Sequence, residues 1–323
     1  MRARNITLKG VQFPAALDAA LEMKEKKPEA APTAEQESSL RERALLVRFS
    51  IGRWYGSGAD EEVIAELRSA KNATGEIGCF TKRLMKREHL AEINQITAES
   101  RRYHKMMTLP WGEGRSRILN VEVFREYKER MTRFEADFNK AVDRFIAKYP
   151  LLVEAERGPQ GLGDLWKASD YPSPEEMRSS FRFGLNVDVL PAVHDLRLHL
   201  SKEQAAEIRK EVEQRMHQSL IDAVGDIYER LREEISDAKA KLDDPDKNLQ
   251  GRMFNTLQGI IGLLPKLNIA ADPRLTALGR EIQKELVSAP VETMREDATI
   301  RKATSDKAAK LLASIAALKG QLK

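Results

Sequence analysis

Residues 101–120 of the chain read RRYHKMMTLPWGEGRSRILN and place cations beside aromatic rings. Lysine and arginine side chains contact the phosphates of nucleic acids, and aromatic rings stack on the bases of single strands. The residues of this stretch that could make such contacts are Arg101, Arg102, Tyr103, Lys105, Trp111, Arg115 and Arg117. We take them as candidate contacts for a partner protein or a nucleic acid.

The same stretch also fits a structural role. The motif Leu109-Pro110-Trp111-Gly112 suits the tip of a hairpin of two helices, where proline ends one helix and the indole packs over the joint. The surrounding residues 82–117 carry nine Lys/Arg against four Glu, and such a charge run in a helical protein can be a solvated surface. A structural or partner-docking tip, a nucleic-acid contact and a catalytic loop therefore stay open as alternatives.

Motifs of familiar catalytic chemistry do not occur in the sequence. It has no GxxxxGK[ST] phosphate loop, no serine in a nucleophile elbow and no histidines at metal-ligand spacing. The single cysteine, Cys79, excludes an internal disulfide and a cysteine-based zinc cluster within one chain. We predict no catalytic residue, no cofactor and no metal site, and hence a non-enzymatic protein.

Composition favours long, solvated helices. Of 323 residues, 41% are apolar and 32% are charged, with only 18 glycines and 13 prolines. No apolar run approaches the roughly 18 residues that a membrane span needs, and residues 1–21 lack the apolar core of a signal peptide. We therefore expect a soluble, cytoplasmic protein that does not bind a membrane.

The elements that would position the candidate residues are mostly helices. Apolar residues recur at helical spacing from Leu40 to Tyr55, and Asp60 can cap a second, short helix. The pattern predicts a third helix from Phe80 to the residues before Pro110, and a fourth from Phe124 to Leu152. The third and fourth helices should form an antiparallel hairpin with residues 108–117 at its tip.

The second half of the chain contains one predicted β-hairpin and the longest predicted helix. Ser173, Pro174 and Glu176 indicate the start of a short helix. Alternating apolar residues then predict a β-hairpin over residues 181–200, and Ser201 with Gln204 begins a helix over 201–242. The apolar spacing of that helix is typical of coiled coils, so we expect that two chains could pair along it.

These elements indicate a mainly α fold. It would be an elongated bundle of long antiparallel helices with coiled-coil-like packing and one small β-hairpin at about 181–200. We predict a flexible or weakly ordered N-terminal arm and linker at 1–39, a helical core with the inserted hairpin at 40–242, and a C-terminal helical segment at 243–323. Within that last segment Pro265, Pro273 and Pro290 should separate the helices, the last of which starts near residue 297.

Residues 45–240 resemble the family catalogued as domain of unknown function 3150. Four separated motifs carry the resemblance: Leu109-Pro110-Trp111-Gly112 with Arg117 and Leu119; Met131, Phe134, Phe138, Val142, Phe145 and Tyr149-Pro150; Asp170-Tyr171-Pro172-Ser173 with Glu176, Arg178 and Phe181; and Pro191 with Asp195 and Arg197. Members of this family occur in bacteriophages and integrative elements. They are often encoded beside an AAA+ ATPase of the MoxR or cobalt-chelatase-subunit type.

The resemblance implies a mobile-element origin, a bacterial host cell and an ATPase partner, and it supplies no catalytic residues. Our first expectation is therefore a non-enzymatic helical scaffold or adaptor that acts with a separately encoded AAA+ ATPase. The alternative is an accessory protein that binds nucleic acid through the basic, aromatic stretch at 82–117.

Overall fold

The structure, a computed structural model, describes residues 40–190, 201–246, 248–250, 253–288 and 290–322. The arm predicted for residues 1–39 and the returning strand predicted within 191–200 lie outside the described residues. The described chain divides into two units. Unit 1 contains the described residues up to Val47, Met107–Phe124 and the described residues from Val187 onwards, and unit 2 contains Arg48–Met106 and Arg125–Asn186.

The strands are, in chain order, β1 (Ala44–Gly52), β2 (Ser57–Ala59), β3 (Thr81–Arg83), β4 (Leu109–Pro110), β5 (Ser116–Asn120) and β6 (Arg182–Val189). The helices are α1 (Glu61–Ala70), α2 (Ala91–Met107), α3 (Phe124–Glu156), α4 (Pro174–Ser179), α5 (Lys202–Asp243), α6 (Asn255–Leu267), α7 (Pro273–Ile282), α8 (Val291–Glu296) and α9 (Ala298–Gly320). A π-helical turn, Gln283–Val287, continues α7. The protein is mainly helical, as predicted.

The described residues contain more sheet than the single hairpin that the sequence predicts. One sheet has the strand order β4-β5-β1-β6, and β2 pairs with β3 in a second, antiparallel sheet. Strands β4 and β5 are antiparallel, with Leu109 opposite Ile118. The strand predicted at the start of 181–200 is confirmed as β6, but its described neighbour is β1.

The helix predicted from Leu40 to Tyr55 is wrong beyond its first turn, because residues 44–52 form β1. Two periodicities coincide in this segment. Ala44, Val47 and Ile51 fit helical spacing, whereas Val47, Phe49 and Ile51 alternate with polar residues at the period of a strand. Sheet pairing across the fold decides between the two patterns, and local sequence does not contain that information.

The helix predicted from Phe80 begins later, at Ala91. Residues Thr81–Arg83 form β3 instead, and Arg87–Leu90 is a single 3-10 turn. Strand β3 buries its central residue, Lys82, between two exposed neighbours. Because a lysine normally indicates a solvated position, this inward-facing charge hides the alternation of a strand.

Helices α2 and α3 form the predicted antiparallel pair in unit 2. The rings of Tyr103 and Tyr127 stack at one end with centroids 6.0 Å apart, and Arg144 lies 2.5 Å from Glu92 at the other end. The predicted apolar stripe of α3 is buried as expected. The connection between the helices is not a plain turn, since it contains the β4–β5 hairpin.

Three helix starts are confirmed at the level of single hydrogen bonds. The Asp60 carboxylate accepts from the backbone amides of Glu62 and Val63 and caps α1. Complete capping boxes begin α4 at Ser173 and α5 at Ser201, in which serine and the residue three positions later bond each other's backbone amides. These local signals are strong because they satisfy amides that the first helical turn leaves without partners.

Helix α5 organises unit 1. Its 42 residues would span roughly 60 Å, and its apolar stripe is buried from Met216 to Leu242. The stripe packs mainly on α9, with further contacts from α6 and β4, so shorter elements of the same chain cover it. Residues 202–215 contribute no buried side chain. The boundary expected at 242/243 lies inside this unit, because α5 and α6 to α9 share one apolar core.

The C-terminal prolines behave differently from one another. Pro273 follows the N-cap Asp272 at the start of α7, and Pro290 precedes α8, as predicted. Pro265 does not end its helix, since α6 continues to Leu267. Proline removes one backbone donor, and near the end of a helix only one hydrogen bond is lost.

Candidate functional site

The candidate contact residues fall into two groups that belong to different units. Arg101, Arg102, Tyr103 and Lys105 lie on the last two turns of α2 in unit 2. Trp111, Arg115 and Arg117 belong to the β4–β5 hairpin in unit 1.

Trp111 is a core residue of unit 1. Its side chain is only 7% exposed and belongs to the same apolar cluster as Leu109, Ile118 and the stripe of α5. The loop after it depends on Gly112 and Gly114, which have φ angles of 59° and 85° that other residues adopt only with strain. The indole faces are covered in this structure, so they offer no platform for a base.

Arg117, on β5 of the same hairpin, forms hydrogen bonds to Thr108, the residue before β4. Its Nε donates to Oγ1 of Thr108 at 2.6 Å, and one of its Nη atoms donates to the Thr108 carbonyl at 2.9 Å. Arg230 of α5 donates to that carbonyl as well, at 2.8 Å. Arg115 is exposed in the loop. Of the three candidates in unit 1, only Arg115 is therefore placed as a surface cation.

The cations of α2 are placed differently. Arg101, Arg102 and Lys105 are exposed, and none of them has an ion-pair partner among the described residues. Arg101 and Lys105 are four residues apart, so their like charges repel on the helix by roughly 0.2 to 0.5 kcal/mol. A bound anion would relieve that repulsion.

Helix α3 adds cations that the sequence stretch did not reveal. Because its first turns lie against the last turns of α2, the exposed Lys128, Arg130 and Arg133 join the α2 cations at the same end of the helix pair. Arg130 lies over the Phe134 ring at 4.6 Å, whereas Lys128 and Arg133 have no ion-pair partner among the described residues. We call the set of five unpaired cations the basic end; its members are Arg101, Arg102, Lys105, Lys128 and Arg133. The signal that could have found the second group is the exposed face of the predicted fourth helix.

Tyr103 lies on the face of α2 that packs against α3 and is partly buried. Its ring stacks on Tyr127 at an interplanar angle of 10° and lies 5.9 Å from the Phe134 ring. Burial raises the pKa of the Tyr103 hydroxyl, and the nearby Glu126 carboxylate adds to that shift. The phenol is therefore neutral at physiological pH. Behind it, Nδ1 of the buried His104 lies 2.6 Å from the Tyr127 hydroxyl and fixes that ring.

Acidic residues at this end are fewer than the basic ones. Residues 99–106 and 125–133 contain seven Lys/Arg and three Glu. Glu129 is paired with Arg125 at 3.1 Å, and Glu99 accepts a hydrogen bond from Gln95. The acids therefore leave most of the positive charge uncompensated.

A different charged cluster in unit 2 is buried. Nζ of Lys82 lies 2.5 Å from Oδ2 of Asp170 and donates to Asp60 and to the Leu165 carbonyl. Burial opposes the charged form of Lys82, but hydrogen bonds to Asp170 and Asp60 raise its pKa above the ordinary value. With two hydrogen bonds donated and two carboxylates beside it, this buried ammonium has a structural role in the described chain.

Among the described residues, no three His, Cys, Asp or Glu side chains lie close enough together to hold a metal ion. Cys79 is exposed. Nor does any described helix combine the length and apolar character that crossing a bilayer requires. Comparison of the chain with family models, with curated proteins and with solved structures finds no match.

Proposed function

We propose that the protein is a non-enzymatic helical adaptor that binds nucleic acid through the basic end of α2 and α3. The observation that carries the proposal is the group of five exposed cations on α2 and α3, the two helices that pack against each other at the half-buried Tyr103, without ion-pair partners among the described residues. Polyphosphate backbones attract such a surface because each neutralised phosphate releases condensed counterions.

Tyr103 gives the surface a second means of recognition. One face of its ring is engaged by Tyr127, so the ring is held in a fixed orientation and stacking on a base would cost little conformational entropy. Base stacking on an aromatic ring contributes about 1 to 3 kcal/mol per base and tolerates any sequence. The proposed ligand is therefore a single strand recognised without sequence preference.

The test is the dependence of single-strand binding on salt. Fluorescence anisotropy with a labelled oligodeoxythymidine should give an affinity that falls with salt, by a log-log slope of about 0.7 per phosphate contact. The double variant Arg101→Ala with Arg102→Ala should lose one or two phosphate contacts, so its log-log slope should be smaller by about 0.7 to 1.4. The matched control replaces the exposed Arg68→Ala in α1 and Lys71→Ala at its C-cap, which removes equal charge from the same unit.

Two outcomes would argue against nucleic-acid binding at this surface. One is the absence of measurable binding at a low salt concentration of about 50 mM. The other is an equal loss of slope in the double variant and in the control, because binding would then follow net charge and not this location.

The proposed adaptor would act with a separately encoded AAA+ ATPase. This part of the proposal is supported by the resemblance of residues 45–240 to domain of unknown function 3150, whose members are often encoded beside such an enzyme. The experiment is co-purification of the two proteins at micromolar concentration, with and without nucleotide. Independent migration under both conditions would remove the ATPase from the proposal and leave nucleic-acid binding to its own test.

A further inference from the structure

An apolar groove with a volume of about 620 Å³ opens on unit 1, and its lining includes no residue of the basic end. It is lined by α6, α7 and the π-helical turn Gln283–Val287. Its apolar lining consists of Ile261, Leu264, Pro265 and Leu275.

Two backbone features shape the groove. Gly279 lies on its lining, and a Cβ atom at this position would lie 2.7 Å from Cδ1 of Leu264, so a larger residue here would require the Leu264 side chain to move. Beyond it the chain widens into the π-helical turn, which the amide of Ser288 closes by bonding the Gln283 carbonyl at 2.9 Å. Such turns cost helix stability and occur frequently at functional sites.

The charged residues on the rim have one sign. Arg280 and Lys284 line the groove, and both are exposed. They are four residues apart, so they project about one helical turn, or roughly 6 Å, from each other. Glu285, the acid that follows Lys284, lies 3.5 Å from Lys284 and 2.8 Å from Lys307 of α9, and it is shared between these two cations.

We infer that this groove binds an amphipathic helix of a partner protein, whose apolar residues fill the groove and whose acidic residues contact Arg280 and Lys284. We choose a helix as the partner because its charges can complement those of the groove. Two cations one turn apart match two carboxylates at positions i and i+4 of a helix, whereas a fatty acid offers a single carboxylate. The apolar lining supplies the affinity, and the two cations fix the direction of the bound helix.

The experiment is a selection from a displayed library of 16-residue amphipathic helices in which the polar positions are randomised. The target is the full chain, and the counter-target is the Ile261→Asp variant, whose change is on a partly exposed lining residue. We expect enriched peptides that carry Asp or Glu at i and i+4 beside an apolar stripe. Enrichment without acidic spacing, or equal recovery on both targets, would overturn the inference.

Reversing the charges on both partners then tests whether the two groove cations contact the acidic residues of the peptide. The variant that combines Arg280→Glu with Lys284→Glu should bind the best selected peptide about tenfold more weakly or worse, because the reversed charges would face the acidic residues of the peptide. It should regain binding to the same peptide with its two acids replaced by lysine. The control combines Arg209→Glu with Lys210→Glu on the exposed start of α5, which changes the same charges outside the groove.

Two further outcomes would overturn the assignment of this groove to a partner helix. Loss of binding in the Arg209 and Lys210 control as well would show an effect of net charge and overturn the assignment. Displacement of the peptide by dodecanoate but not by an excess of unlabelled peptide would identify a lipid carboxylate site instead. Circular dichroism and melting curves of every variant establish that the compared proteins are folded.

Discussion

Nζ of Lys82 lies 2.7 Å from Oδ2 of Asp60, and both side chains are almost completely buried, with exposed fractions of 2% and 3%. The same Asp60 caps α1 through the amides of Glu62 and Val63. The ion pair therefore joins β3 to the start of α1 within unit 2. Lys167 pairs with Glu62 beside it, so the cap is surrounded by cations on two sides. The pKa of the Asp60 carboxyl is lowered, first by its hydrogen bond from Lys82.

Replacing Lys82→Met should destabilise unit 2 strongly. It would leave the buried Asp60 and the partly exposed Asp170 without their shared cation, and breaking a buried pair by removing one partner is among the costliest substitutions. We expect the melting temperature to fall by roughly 10 °C. The control Lys86→Met changes an exposed lysine three residues beyond β3 and should leave the melting temperature nearly unchanged. Equal effects of both variants would contradict a structural role for Lys82.

The contact between α5 and α9 should depend on pH through Glu229. Its pKa falls from the ordinary 4.5 to about 2, first through the hydrogen bond from Arg232 and then through that from Lys319. A lowered pKa stabilises the fold above pH 4.5, and the contribution is lost as the pH falls through about 2. Because the pair is near the surface, the free energy involved is no more than about 1 kcal/mol.

The variant Glu229→Gln measures that contribution. It should unfold at lower urea concentration than the parent protein at pH 7, and the difference should shrink when the pH falls from 4.5 towards 2. The carboxylate chemical shift of Glu229 gives its pKa directly. A difference between the two proteins that is independent of pH would show that the ion pairs do not stabilise the fold.

Self-association along α5 can be separated from packing within one chain. Leu231, in the middle of the stripe, is 0% exposed and lies in the core of unit 1. Light scattering should therefore give the mass of one chain at micromolar concentration. Leu231→Lys should lower the melting temperature and leave the mass unchanged, because a buried charge disrupts the core. If the parent protein has the mass of two chains, Ile208→Lys tests whether residues 202–215 form the contact.

The features that the sequence predicts correctly are those encoded by neighbouring residues. The capping boxes at Ser173 and Ser201 and the stripe of α3 depend on side chains within one or two helical turns, so their spacing is sufficient evidence. Strand β1 and the buried Lys82 depend instead on partners far along the chain, which no local pattern contains.

In the candidate site as well, some placements follow from local spacing and others from tertiary contacts. The exposed cations of α2 follow from their places on a helix, because residues opposite an apolar stripe face solvent. The cations of α3 join them only because the two helices pair, and Trp111 is buried only because the hairpin packs against α5. Residue type and spacing give the composition of such a surface, and tertiary contacts decide which members remain exposed.

A comparison of two single variants, Trp111→Ala and Tyr103→Ala, separates the structural aromatic residue from the proposed ligand contact. Removing the buried Trp111 leaves a cavity in the core of unit 1, at a cost of about 3 to 5 kcal/mol. We expect its melting temperature to fall while the folded protein keeps its affinity for oligodeoxythymidine and the same salt slope. Tyr103→Ala should instead weaken single-strand binding by about 1 to 3 kcal/mol with little change in slope, since stacking releases no counterions. If Trp111→Ala reduces the affinity at a temperature where the protein is fully folded, while Tyr103→Ala does not, the assignment of single-strand binding to the basic end is wrong.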